Sequence, residues 1–110
     1  QAHIEFSSTF WSTSMKTVHH TTIASKCPHG GVDTYDAEFH IDGGTVLSVE
    51  SIQSEIDRAT ASAIYQEHLT QILAERLECR VVTNGRHGRF STECQAEPVR
   101  AIEAPTPHAP

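Results

Sequence analysis

The stretch TYDAEFHID, residues 34–42, constrains this chain more than any other. Tyr35, Ala37, Phe39 and Ile41 fall on one side of an extended backbone, while Asp36, Glu38, His40 and Asp42 fall on the other. A strand with one apolar and one wet face belongs to an antiparallel sheet covered on one side only. Gly43 and Gly44 end it. Upstream, Thr17, Val18, Thr21, Thr22 and Ile23 surround His19 and His20, and this β-branched run predicts a preceding strand over residues 16–24.

The period then changes. Val49, Ile52, Ile56 and Ala59 recur at three and four residues between Glu50, Gln53, Glu55 and Asp57, which predicts an amphipathic helix. Ser48 is its expected N-cap, with Ser51 as the alternative. A second stripe, Tyr65, Leu69, Ile72, Leu73 and Leu77, predicts another helix starting near Ala63 or Ile64. Residues 59–63, ATASA, could separate two helices or continue one. Residues 79–83 read as a strand, Asn84-Gly85 as a turn and residues 89–94 as the returning strand. Residues 1–15 read as an N-terminal arm, and the proline-rich residues 95–110 as a disordered tail.

The expected order is strand, strand, helix, helix, strand, strand. It is satisfied by an α+β domain over residues 1–94: a four-stranded antiparallel sheet with both helices on one face. A chain of 110 residues holds one small core, so association into a homo-oligomer is expected to cover what two helices leave bare. The formal charge of −6 with no basic stripe argues against nucleic acid as a partner. No run of about eighteen apolar residues and no charged-then-apolar leader are visible, so no membrane partner is expected. Three cysteines, Cys27, Cys79 and Cys94, match neither a zinc ribbon nor a disulfide framework, and a cytoplasmic setting is the default.

Cys27 follows the first strand, on a loop with Pro28, His29, Gly30 and Gly31. Exposure and a neighbouring imidazole activate a thiol as a nucleophile, whereas a free cysteine at a strand end is commonly inert and buried. Asp33 could deliver a proton to the site of attack, or simply mark the entry of a loop into a strand. Glu50 and Ser51 open the first helix, where the helix dipole favours an acid with or without a further role. Gln66 and Glu67 open the second, and a carboxylate at Glu67 could accept two hydrogen bonds from an amidine-like edge of guanine or a pterin. Cys27 and His29, with His40 or His19, form the rival set: three zinc ligands with an open position.

In order and approximate spacing, Cys27-Pro28, Asp33, Val49-Glu50-Ser51 and Tyr65-Gln66-Glu67 resemble the motifs of the 7-cyano-7-deazaguanine reductase (QueF) family, over residues 17–94. The resemblance implies the tunnelling fold (T-fold), built from oligomers of ββααββ units that place their sites between subunits. It implies that Cys27 attacks the nitrile carbon to form a thioimide and Asp33 protonates the nitrile nitrogen. Glu67 would anchor the guanine-like edge, with Glu50, Ser51 and Gln66 lining the pocket. The reductases carry NADPH-binding lysines just after Val-Glu-Ser, where this chain reads Ile52-Gln53-Ser54-Glu55, and they carry a histidine where it has Gln66. Without those lysines it looks more like the archaeal branch, which adds ammonia to the nitrile to make an amidine in transfer RNA. The same fold also hosts zinc-dependent cyclohydrolases and pterin synthases, and a binding module that keeps only the base anchor is a third expectation.

Overall fold

The computed structural model describes residues 14–99. Strand β1 (Lys16–Lys26) pairs antiparallel with β2 (Val32–Asp42); helices α1 (Val49–Ala59) and α2 (Gln66–Leu77) come next, and strands β3 (Arg80–His87) and β4 (Phe90–Ala96) complete the sheet. The strand order is β1-β2-β3-β4, antiparallel throughout, so β1 and β4 are the edges. This is the α+β arrangement expected from the periodicities.

Alternation on β2 sets the layers. Tyr35, Ala37, Phe39 and Ile41 are buried, and opposite residues share their face: Ile23 on β1 lies across from Tyr35, and Val81 on β3 across from Phe39. Ile52 and Ile56 of α1 and Leu69, Leu73, Ala74 and Leu77 of α2 close over them in one core. The far face of the sheet is polar: His40 Nε2 lies 2.9 Å from Glu38 Oε1, and Arg80 donates to the side chain of Gln95 across to β4. No helix among the described residues is long and apolar enough to cross a membrane.

Local chemistry fixes the helix limits. The Ser48 hydroxyl accepts from the Ser51 backbone N–H at 3.1 Å, so Ser48 is the N-cap of α1. Helix α1 stops at Ala59, and residues 60–65 form a true break before α2, which opens at Gln66, a little later than expected. Glu78 takes the left-handed conformation that ends α2.

Two expectations need correcting at the last hairpin. Asn84-Gly85 is not its turn. Both residues continue β3, paired with Glu93 and Thr92, and the reversal falls further along the chain at Gly88-Arg89, with His87 opposite Phe90. Gly88 supplies the positive φ that a two-residue hairpin asks for. Gly85 is a glycine for another reason: a Cβ there would lie 2.7 Å from Cε1 of the buried Tyr35 ring opposite it. The other correction is the strand's end, since β4 runs through Gln95 and Ala96, residues expected to begin the tail. The rest of the arm and tail, residues 1–13 and 100–110, lies outside the described residues.

Candidate active site

The loop between β1 and β2 closes tightly on Cys27. The Cys27 N–H donates to the Gly31 carbonyl at 2.9 Å, and the Gly30 N–H donates back to the Cys27 carbonyl at 2.8 Å. Gly30 and Gly31 have φ of +109° and +83°, values that side chains rarely tolerate, so the Gly-Gly pair is what lets the chain turn within five residues. The Ile64 N–H donates to the Lys26 carbonyl at 3.0 Å, which ties the α1–α2 connection to the base of this loop. Above that tie the Tyr65 hydroxyl lies 3.2 Å from His29 Nε2, with the two rings edge to face.

These elements enclose a cavity of about 210 Å³, lined by Cys27, Asp33, Tyr35, Gln66, Glu67 and His87 among others. Four of the six residues singled out from the sequence therefore share one cavity, although they come from a loop, a strand and a helix up to 40 positions apart. Cys27 is half-buried, and Asp33 has the parity of Tyr35 on β2, so it belongs to the helix-covered face at the sheet's open end.

The Asp33 carboxylate has a hydrogen-bond donor on one oxygen and an imidazole near the other. The Tyr35 hydroxyl donates to Oδ2 at 3.3 Å, and His87 Nδ1 stands 3.9 Å from Oδ1. Burial first, and then the charge of Asp33, push the Tyr35 phenol up to about 12, so at ordinary pH it remains a donor.

Gln66 is a built-in strut. It is buried, and its amide nitrogen donates to the Thr92 carbonyl at 3.0 Å, the Thr83 hydroxyl at 3.1 Å and the Thr83 carbonyl at 3.3 Å. Two carbonyls on one side fix the amide's orientation, so only its oxygen is left for a ligand. Thr70 completes the network, donating to the Gln66 carbonyl at 2.8 Å and lying 2.7 Å from the Thr83 hydroxyl. Glu67, next in the first turn of α2, is exposed. It lines both the cavity and a wider groove of about 1110 Å³ between α2 and β4, beside Glu75, Glu78, Cys94 and Glu97. Burial, then the charge of Glu67, pushes the Cys94 thiol up, while burial alone takes Cys79 up to about 11. Both are thereby held as neutral thiols at ordinary pH.

Glu50 and Ser51 are not brought to the cavity. Both are exposed at the start of α1, and Ser51 is occupied in the cap, its hydroxyl accepting from Ser48 at 3.0 Å. Among the described residues, no group of three or more His, Cys, Asp or Glu side chains is arranged to hold a metal ion, so Cys27, His29, His19 and His40 do not form the rival zinc set. Other cavity residues were not read from the sequence as parts of a site, Tyr35, His87 and Thr92 among them. Tyr35 was readable as Asp33's neighbour two positions along the same strand face. His87 and Thr92 depend on the registers that place β3 against β2 and β4 against β3, and no local pattern specifies those. No protein family, curated protein or solved structure matches the chain.

Proposed function

We propose that this chain is a QueF-like enzyme of the tunnelling fold that acts on the nitrile of 7-cyano-7-deazaguanine through a Cys27 thioimide. The observation that carries this reading is the convergence of Cys27, Asp33 and Glu67 on one 210 Å³ cavity. That volume suits a single fused-ring base better than the drug-sized ligands whose pockets start at about 300 Å³. The Cys27 sulfur attacks the nitrile carbon; a C–S bond forms, the C≡N bond becomes C=N–H, and Asp33 passes the thiol's proton to the nitrogen. Glu67 accepts the paired N–H donors of the base's guanine-like edge. Among the described residues β1 and β4 are the sheet's edges, and these with a polar open face are consistent with assembly of such units into a homo-oligomer.

The thioimide can go on to reduction or to amidine formation. The residues around the site do not fit NADPH: among the described residues no lysine or arginine lines the cavity or the adjoining groove, and Asp33, Glu67, Glu75, Glu78 and Glu97 do. A dinucleotide's phosphates need cations there. The same carboxylates favour a free base over one carried in transfer RNA, and they tolerate an ammonium ion. The proposed branch is therefore amidine formation: ammonia adds to the thioimide carbon and Cys27 leaves as the thiol. Supplying the base with ammonium, and separately with NADPH, should yield the amidine from the first mixture and no aminomethyl product from the second. An aminomethyl product would reverse the assignment, and failure to bind the base at all would end it.

A further inference from the structure

We infer that His87 is a positioning and proton-exchange residue for Asp33, an inference that rests on the nitrile reading for its chemistry and on geometry for its existence. On the β2–β3 register Tyr35 faces Gly85, so two residues further out Asp33 faces His87, just beyond the last ladder pair. One pair further in, position 85 is a glycine against which the Tyr35 ring packs. The imidazole ring lies 6.4 Å from the Tyr35 ring, and its Nδ1 lies 3.9 Å from the oxygen of Asp33 that Tyr35 does not use.

The two neighbours of Asp33 differ in kind. Tyr35 donates a hydrogen bond to it from a phenol that keeps its proton, whereas an imidazole can both give and take a proton. They also differ in access to water: Tyr35 is 1% exposed, whereas the His87 side chain is 44% exposed beside an Asp33 side chain that is 20% exposed. His87 therefore bridges solvent and a sheltered carboxylate. The other titratable groups around it are Cys27 and His29 on the β1–β2 loop, Tyr65 before α2 and Glu67 on α2, all lining the same cavity. Of the two histidines, His29 is tied to Tyr65, which leaves His87 to serve Asp33.

In the addition step the thiol proton moves to Asp33 and on to the nitrile nitrogen, with no oxidant or reductant consumed. His87 holds the carboxylate in line during that transfer and exchanges protons with solvent when the thiol is later released.

The test uses the whole chain and His87→Gln, which keeps a side-chain donor but cannot take up a proton. First, the Asp33 carboxyl carbon, tracked by ¹³C NMR, should change its shift between the wild type and the variant at the same pH. Second, the rate of adduct formation with 7-cyano-7-deazaguanine should fall about tenfold in H87Q, with a flatter pH profile. An Asp33 signal or a pH profile unchanged by the substitution overturns the inference. If neither protein forms an adduct, the nitrile reading fails, and the carbon signal alone still decides whether His87 serves Asp33.

Discussion

At the residue scale, the candidate site depends on side chains that are buried as neutral donors. Tyr35 is 1% exposed with its phenol pushed up to about 12, so folding favours its protonated form. Its folded pKa lies above the unfolded one, so this contribution is complete below pH about 10 and lost as pH rises through about 12. Cys79, up to about 11 by burial, acts in the same direction from about pH 9. Denaturant titrations across this range should show stability falling, by ~2–3 kcal/mol for the tyrosine. Tyr35→Phe should remove the later part of that fall; a variant that loses stability as steeply as the wild type between pH 10 and 12 would rule out Tyr35 as the cause. Gln66 and Glu67 separate structure from chemistry within two positions. Gln66→Leu leaves the Thr83 and Thr92 acceptors short of a donor and should cost about 1–3 kcal/mol. Glu67→Gln, on an exposed side chain, should stay within about 0.5 kcal/mol while losing affinity for the base. Equal destabilisation by both would mean that Glu67 is as structural as its neighbour.

At the scale of elements, β2 is the organising strand, and the sequence declares it plainly. Its alternation places Tyr35, Ala37, Phe39 and Ile41 inward, and the structure keeps all four buried. The helices were readable for the same reason, their stripes being local and periodic. What escaped the sequence is tertiary: Asn-Gly is the strongest short hairpin signal, yet here a ring from the neighbouring strand needs the space above Gly85 and the turn moves to Gly88. Gly85→Ala should therefore cost about 1–3 kcal/mol through overpacking. It should also disturb Asp33, whose partner Tyr35 would be displaced. Retention of wild-type thermal stability in G85A would show that the Tyr35 ring is not pinned as described.

For the whole molecule, one fold brings a loop cysteine, a strand aspartate and a helix glutamate to one end of a one-layer sheet. Cys27, Asp33 and Glu67 became candidates through their resemblance, in order and spacing, to the motifs of a known family, since each taken alone has an ordinary structural reading. That Glu50 and Ser51 stand apart, and that His87 joins, was not legible, because both facts depend on how α1 and β3 lie against the sheet. The central claim is that Cys27 is a nucleophile toward a nitrile. It is tested most directly by intact-mass measurement after incubating the wild type, Cys27→Ala and Asp33→Asn with 7-cyano-7-deazaguanine. The wild type should gain the mass of one base per chain, C27A should gain none and D33N should gain it at least tenfold more slowly, as expected for a lost general acid. A wild type that binds the base and keeps its unmodified mass, or an adduct that persists in C27A, would contradict the claim.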